Sequence, residues 1–301
     1  MKRLPGYTQI LGAATFWGVA ATGAKALLNR EVDPFFLSQV RVTFSLVLLA
    51  AGMAVFRPAL LRIRIKDLWR FALLGVVGVA GANVTYYITM KESSVATAIL
   101  LQYAAPLLVT AYGLLSREER ITRVKVVAAV LSVAGCYLAV GSFDAASAPI
   151  TGLALGSGIA SAMCFGFLTV FTRHTARGYD MMTVTLYAIG FASLFWAGAR
   201  AAASWPLPEV PITMWLAFLG LSVISILIPY LLFFHGLRHL EPSQAVISST
   251  LEPVVAIGSA FLVLGEPLEP PQLLGAVVVI AAITILQVSP ANSRGAILPG
   301  R

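Results

Sequence analysis

Charged side chains are scarce in this sequence. Only 11% of its 301 residues are Asp, Glu, Lys or Arg, whereas 58% are hydrophobic. A soluble domain usually carries about 25% charged residues, so this chain has too few of them to cover a surface in water. The scarcity excludes an ordinary soluble protein and predicts that lipid surrounds most of the molecule.

Cysteine and histidine are rare as well. Cys136 and Cys164 both lie in apolar runs, where they indicate neither a structural disulfide nor a metal site. His235 and His239 have a spacing that can bind a metal, but two ligands without a third make a poor zinc site. A Gly-rich phosphate-binding loop is also missing from the sequence. We therefore expect no metal, no cofactor, no direct use of ATP and no catalysis, and a membrane-embedded enzyme is the less favoured alternative.

Long apolar runs fill the sequence instead. A bilayer core about 30 Å thick needs roughly 20 helical residues to cross it, and backbone polar groups in lipid must be satisfied within the segment. Ten runs qualify, at residues 7–28, 34–56, 69–89, 94–115, 124–141, 152–172, 181–203, 212–236, 243–264 and 272–288. The sequence thus predicts an all-α integral membrane protein of ten transmembrane helices.

The basic residues lie mainly on one side of these predicted spans. Of the 21 Lys and Arg residues, sixteen fall in the termini and in the connections that share a side with the N-terminus. Only Arg30, Lys91 and Arg200 fall on the opposite side. Because cytoplasmic loops carry an excess of Lys and Arg, the bias predicts that both termini face the cytoplasm. It also explains the net charge of +8 without nucleic acid.

The two halves of the sequence resemble each other. Pro106 and Pro253 are 147 residues apart, and the same offset aligns Glu119 with Glu266. Two further matches, with one gap, are Trp17 with Phe165 and Lys25 with Arg173. Since each half holds an odd number of spans, we predict two inverted five-helix repeats, residues 1–141 and 152–288. Residues 289–301 are expected to form a flexible cytoplasmic tail.

Glu252, Arg41 and Lys25 are the ionisable residues of the predicted spans that most need an explanation. Glu252 is about ten residues from the start of its span, or roughly 15 Å, near the bilayer midplane. It is a candidate for proton coupling or for accepting a substrate amino group; the structural alternative is a carboxyl group paired with a neighbour or with backbone freed by Pro253. Arg41 can attract a substrate carboxylate, pair with Glu252, or extend outward to water. Lys25, one turn from a helix end, is interpreted as an interfacial anchor.

Aromatic and polar residues near the middle of the spans complete a predicted substrate cavity. A midplane Trp17 is out of place for interfacial anchoring, and its indole N–H is expected to bind water or substrate. Helix packing is the alternative for each residue, but the set suits neutral or zwitterionic solutes. The predicted cavity residues are Trp17, Arg41, Tyr86, Gln102, Tyr103, Phe165, Tyr230, Ser249 and Glu252. The predicted hinges are Pro106, Pro229 and Pro253, because each removes a helix hydrogen bond.

These features resemble a known family. Leu251-Glu252-Pro253-Val254, followed by Leu264-Gly265-Glu266-Pro267, is similar to the second-repeat signature of the EamA-like branch of the drug/metabolite transporter superfamily. Phe16-Trp17-Gly18 in the first span fits the same branch. The resemblance covers residues 7–288 and implies a secondary transporter of the bacterial inner membrane that works by alternating access.

The resemblance also implies what the protein carries. Amino acids, aromatic or otherwise neutral or zwitterionic, and related metabolites are the expected cargo, moved outward. A multidrug or nucleoside carrier of the same superfamily is the alternative. The expected partners are a small-molecule substrate and the lipid bilayer, without nucleic acid, and the carrier is expected to act as a monomer. Proton coupling through Glu252 and passive facilitated flux both stay open.

Overall fold

The computed structural model describes residues 4–28, 30–140, 150–204 and 208–289. These residues form ten helices that are long and apolar enough to cross a membrane. In chain order they are α1 Leu4–Leu28, α2 Pro34–Phe56, α3 Ile65–Glu92, α4 Val95–Ser116, α5 Arg123–Val140, α6 Gly152–Thr175, α7 Met181–Ala202, α8 Ile212–Gly236, α9 Pro242–Val263 and α10 Pro270–Val288. The predicted all-α, ten-helix class is confirmed. All but the first residue of the predicted tail 289–301 lies outside the described residues.

Polar residues begin several of the helices by capping them. The first amides of a helix have no partner within the helix, so a side-chain oxygen at the preceding position satisfies one of them. Such caps are Asp33, Ser94, Thr151 and Asp180, before α2, α4, α6 and α7 respectively. Glu241 and Glu269 form capping boxes with Gln244 and Gln272 at the starts of α9 and α10. The sparse polar residues therefore mark the helix ends.

Helices of one half pack on helices of the other half, in corresponding pairs. Helix α1 packs on α8 and α9, and α6, five helices later, packs on α3 and α4. Helix α2 packs on α7, and α5 packs closely on α10. The α5–α10 approach depends on glycine, because a β-carbon on Gly275 would lie 2.6 Å from the carbonyl oxygen of Gly135. This pairing supports the predicted repeats, whose relative orientation stays a prediction.

Both halves are interrupted at equivalent places. Helix α4 breaks at Tyr103 and Ala104, and α9 breaks at Thr250, which is 147 residues after Tyr103. Pro106 and Pro253 follow each break and lack the amide that would bond to the carbonyl four residues earlier. A π-helix also interrupts α3 at Leu74–Gly81 and α8 at Val223–Leu227, again at corresponding positions. Whether the prolines act as hinges stays a prediction.

A buried ion cluster joins the two halves at one end of the bundle. We call the end where α1 begins the inner end, which the charge bias predicts to be cytoplasmic, and the opposite end the outer end. Lys125 is only 1% exposed, and its ammonium contacts the carboxylates of Glu119 at 3.3 Å and Glu241 at 2.6 Å. Glu119 also accepts hydrogen bonds from the amide and hydroxyl of Ser243. The cluster fixes the start of α5 against the start of α9.

Candidate functional site

A cluster of tyrosines around two opposite charges occupies the interior of the bundle. It combines residues from α2, α3, α4, α8 and α9, and each member is linked to another by a hydrogen bond, a ring contact or an electrostatic interaction. We call this set the central cluster; its members are Arg41, Tyr86, Tyr87, Tyr103, Tyr230 and Glu252. Because ionisable groups in a membrane interior are costly, such a cluster indicates function.

Arg41 has one edge of its guanidinium free. Its Nη1 donates to the Tyr87 hydroxyl at 3.1 Å, whereas its Nε is buried and has no hydrogen-bond partner in the described structure. A buried donor without an acceptor is destabilising by about 1–3 kcal/mol unless something binds it. The Nε/Nη2 edge is the one that binds a carboxylate through two parallel hydrogen bonds. The side chain therefore has the geometry to hold an anionic group.

Glu252 lies opposite this arginine, just after the break in α9. Tyr103, which is only 6% exposed, lies close to Glu252 and interacts with its carboxylate. The charge of Arg41 also acts on Glu252, although within the described residues the two form no direct ion pair. Glu252 follows the break in α9 by two residues, and Tyr103 lies at the matching break in α4. The two breaks thus assemble this part of the site.

Trp17 belongs to an aromatic group on the inner side of the central cluster. Its ring centroid lies 5.8 Å from that of Tyr230, 5.3 Å from that of Phe233 and 6.3 Å from that of Phe165. Phe165 and Phe233 are themselves 5.8 Å apart. Trp17 and Phe165, which the repeat aligns, therefore face each other across the interface between the halves. The structure brings Trp17, Phe165 and Tyr230 together, and their role in a substrate cavity stays a prediction.

The indole of Trp17 has a protein partner rather than water or substrate. Its Nε1 donates to the carbonyl of Ser225 at 3.0 Å. In a regular helix that carbonyl would accept from the amide of residue 229, but Pro229 has no amide hydrogen. Pro229 therefore releases a carbonyl that Trp17 binds, and the expected water or substrate bond of the indole is replaced by a link between α1 and α8.

Gln102 and Ser249 use their polar groups elsewhere. The Gln102 amide donates to the hydroxyl of Ser161 at 2.8 Å, and Ser161 donates in turn to the carbonyl of Ala82, so this chain of bonds connects α4, α6 and α3. The Ser249 hydroxyl donates to the carbonyl of Val246 in its own helix. No side-chain hydrogen bond in the described ranges joins either residue to the central cluster, and their role in the cavity stays a prediction.

Three residues near the site were not selected from the sequence. Asn83 lies close to the Tyr230 hydroxyl, and its side-chain amide donates to the carbonyl of Val79. Ser38 is 1% exposed, and its hydroxyl has no hydrogen-bond partner in the described structure. It lies three residues before Arg41, on the same face of α2. Phe233 completes the aromatic group. An Asn in an apolar span is a usable sequence signal, whereas serine and phenylalanine are too common in such spans to be one.

A cavity of about 710 Å³ opens at the inner end and leads toward the aromatic group. We call it the inner vestibule; it lies among the ends of α4, α6, α7, α8 and α9, and its wall includes Tyr112, Val170, Arg173, Arg177, Leu237 and Arg238. Phe165 is five residues deeper than Val170, and Phe233 is four residues deeper than Leu237. At 1.5 Å per residue the vestibule therefore stops roughly 6–8 Å short of these rings. Packed hydrophobic side chains close it, including Val109 and Val246.

The outer end of the same pathway is closed by contacts between α1 and α9. A β-carbon on Gly18 would lie 2.7 Å from the Glu252 carbonyl oxygen, so the two backbones touch. Farther out, the hydroxyls of Thr22 and Ser259 are 2.6 Å apart, and Lys25 forms an ion pair with Glu266 at 2.6 Å. The interpretation of Lys25 as a simple interfacial anchor was therefore incomplete.

The equivalent contacts of the other half are open. The repeat aligns Thr22 with Val170 and Ser259 with Tyr112, and both of these equivalents line the inner vestibule. It likewise aligns Lys25 with Arg173 and Glu266 with Glu119, and that second pair also faces the vestibule without forming an ion pair within the part of the chain described. The two halves thus differ in conformation. Thr22 and Ser259 are in contact at the outer end, whereas their equivalents line an open cavity at the inner end.

Comparisons with known proteins agree with a membrane carrier. The EamA-like transporter family matches residues 4–141 and again residues 152–288. The inner membrane transporter YicL of Salmonella typhimurium is 27% identical over 293 residues, which cover 93% of this chain and 94% of that protein. The threonine/homoserine exporter RhtA of Escherichia coli is 27% identical over 233 residues, covering 76% of this chain and 75% of RhtA.

A solved structure shows the same fold. One crystal structure superposes with a TM-score of 0.79 over 98% of this chain and 99% of the other chain, at 18% identity. The fold and the buried polar centre define a multi-pass membrane transporter. The chain belongs to the EamA-like transporter family, within the drug/metabolite transporter superfamily.

Proposed function

We propose that the protein is a secondary carrier of the bacterial inner membrane that exports amino acids by alternating access. The observation that carries this proposal is the free Nε/Nη2 edge of Arg41 in the same buried cluster as the Glu252 carboxylate. A zwitterion has one charge for each of them. An α-amino acid would place its carboxylate on Arg41 and its ammonium on Glu252, replacing water at both groups.

The surroundings of the cluster favour a neutral side chain on the substrate. Tyr86, Tyr87, Tyr103 and Tyr230 form walls that are apolar on the ring faces and polar at the hydroxyls. Such walls accept aliphatic or aromatic groups and do not offset a further charge. The exporter activity named for RhtA, a relative at 27% identity, agrees with this class of cargo.

The state of the two ends is consistent with alternating access. Helices α1 and α9 are in close contact beside Glu252, and packed side chains separate the inner vestibule from the aromatic group. Since the halves are equivalent in sequence, exchanging their conformations would open the outer end and close the inner one. In this cycle a substrate enters from the cytoplasm and leaves outside.

The decisive experiment is counterflow in liposomes that contain the purified protein. The panel should include amino acids, nucleosides and cationic drugs. We expect saturable exchange of neutral amino acids. Exchange of nucleosides or drugs without amino acids would replace the proposal with the alternative cargo classes, and absence of any saturable exchange would remove the carrier function.

Two variants test the two ends of the bound zwitterion. Glu252→Gln should weaken transport of an amino acid more than that of its analogue without the amino group. Arg41→Gln should weaken transport of the amino acid more than that of its amide, which lacks the carboxylate. Loss of a hydrogen bond to a charged group should raise the KM about tenfold to a hundredfold. Equal losses for both compounds of a pair would contradict the assignment.

The same Glu252→Gln variant tests proton coupling. If Glu252 exchanges a proton for the substrate ammonium, flux through the unmodified protein should vary between about pH 5 and pH 8, and Glu252→Gln should flatten that profile. A wild-type flux that is constant over this range would exclude proton exchange at Glu252 and favour passive facilitated transport.

A further inference from the structure

The inner vestibule contains two guanidinium groups that the fold does not use. Arg173 and Arg177 are four residues apart, at and just beyond the end of α6, and both line the cavity. In the described ranges, no hydrogen bond or ion pair engages the guanidinium of either residue. Basic residues that only orient a protein in the membrane do not have to line a cavity. These two side chains line one that is large enough for a small solute.

The other charged groups of the vestibule already have partners. Glu119 contacts Lys125 and Ser243, His174 lies 3.5 Å from Glu118, and Arg238 lies 4.0 Å from Asp180, beside the cavity. Glu118 adds a carboxylate to the wall, so Arg173 and Arg177 are the charged groups of the vestibule that have no partner in the described ranges. The cavity is also partly enclosed by apolar groups, including Val170, Leu237 and Met181. Low-dielectric walls strengthen the attraction between the two guanidiniums and an anionic group that enters the cavity beside them.

We propose that the inner vestibule is a capture site for solutes that bear a carboxylate, held by Arg173 and Arg177 before the solute passes the aromatic group. This inference rests on the proposed function and extends it, because it names the group by which the substrate is first recognised. Two guanidiniums one helical turn apart can each donate to one carboxylate. When the solute moves from the vestibule toward the middle of the bundle, its carboxylate passes to the free edge of Arg41.

The repeat adds a reason why capture occurs only at the open end. Lys25 occupies the position equivalent to Arg173, and its charge is taken up by Glu266 while the outer end is closed. The unpaired charge is thus present where the pathway is open and neutralised where it is sealed. A solute leaving at the outer end, once that end opens, meets a single lysine with its own carboxylate partner close by.

A charge-sensing experiment tests the vestibule without any knowledge of the substrate. Ala176, which lines the cavity, is changed to Cys in a Cys164→Ala background; Cys136 is fully buried and can stay. The rates of reaction with a negative and a positive methanethiosulfonate reagent of similar size are then compared. Adding Arg173→Gln and Arg177→Gln should lower the negative-to-positive rate ratio by about tenfold at low ionic strength, and less in high salt.

Arg117→Gln with Arg120→Gln is the matched control. Both residues are exposed basic groups in the connection between α4 and α5, at the same end of the bundle, and neither lines the cavity. The control should change the ratio much less than the vestibule variants do. An equal change in the two double variants, or no change in either, would overturn the capture site.

Transport measurements separate this inference from the proposed function. In counterflow, Arg173→Gln with Arg177→Gln should raise the KM for an amino acid about threefold or more and leave the maximal rate unchanged. If the unmodified protein moves no carboxylate-bearing solute, the proposed function fails, whatever the reagent ratio shows. If the KM effect occurs only in liposomes that contain anionic phospholipid, the arginines bind lipid phosphate instead and the capture site is overturned.

Discussion

Ser38 and Ser45 lie on the same side of α2, and their hydroxyl groups have different partners. The Ser45 hydroxyl lies 2.8 Å from the carbonyl of Arg41 and 3.0 Å from that of Ser222 in α8, so it connects two helices. The Ser38 hydroxyl is buried without a partner, one turn from Arg41. An unpaired buried hydroxyl is unfavourable, and because no described residue accepts from Ser38, we propose that it donates to the substrate.

We therefore expect Ser38→Ala to affect the substrate rather than the fold. The variant should raise the KM for an amino acid about tenfold, because a donor to the carboxylate is lost, and its melting temperature should stay equal or rise slightly. Ser45→Ala is the control, and it should lower the free energy of unfolding by about 1 kcal/mol with little change in KM. Counterflow and thermal unfolding in detergent measure both quantities. A normal KM for Ser38→Ala would exclude the residue from the site.

Trp17 illustrates how far a single residue can be interpreted from the sequence. Its depth in α1 and its alignment with Phe165 were sufficient to place it at the interface between the halves, where the structure has it. The partner of its indole could not be foreseen, because the Ser225 carbonyl is free only where Pro229 interrupts the bonding of α8. The indole and the carbonyl that it binds are 208 residues apart in the chain.

At the scale of helices, Lys125 shows that a basic residue near a helix end need not be solvated. The sequence counts it among the basic residues of the inner connections. The structure instead buries it between Glu119, which follows α4, and Glu241, which precedes α9. Because charge pairs in this environment depend on every member, removal of one partner leaves the others uncompensated.

Lys125→Met should destabilise the protein strongly. Two carboxylates would remain buried with no cation between them, which costs roughly 3–5 kcal/mol in comparable pairs. The melting temperature of the purified protein should fall clearly. Lys66→Met is the control, since Lys66 is an exposed lysine at the same end and should change the melting temperature little. Similar melting temperatures for the two variants would show that the cluster does not stabilise the contact between α5 and α9.

For the whole molecule, the main result is that two similar halves have different conformations. The outer end is sealed at Thr22 and Ser259, whose equivalents Val170 and Tyr112 line the inner vestibule. The ion pair of Lys25 and Glu266 adds to this seal, but both side chains are about half exposed and such pairs contribute at most about 1 kcal/mol. A seal of this strength can open and close within a transport cycle.

A disulfide across the outer end should stop transport. Thr22→Cys with Ser259→Cys places two thiols where the native oxygens are 2.6 Å apart, and a small shift brings them to disulfide geometry. In a Cys164→Ala background, oxidation should abolish counterflow and reduction should restore it. Each single cysteine variant, treated in the same way, is the control. Full transport by the cross-linked protein would show that the outer end does not need to open.

The sequence alone determined that this is a ten-helix membrane protein with two related halves and most of its basic residues at one end. These properties depend on local composition and on alignment, which a linear sequence contains. The orientation of the halves and of the termini remains a prediction, and the cross-linking and reagent experiments bear on it. The sequence also found Arg41, Tyr103 and Glu252, because polar residues are conspicuous in apolar spans.

Only the tertiary structure decided which of those polar groups meet and which end is open. The contact of Tyr103 with Glu252 and the free edge of Arg41 depend on helices far apart in the chain, as does the diversion of Gln102 to Ser161. The two ends have equivalent sequences, so no pattern along the chain can tell which one is closed. That choice is a property of how α1 packs on α9 and α6 on α4, which differ in this conformation although their residues correspond.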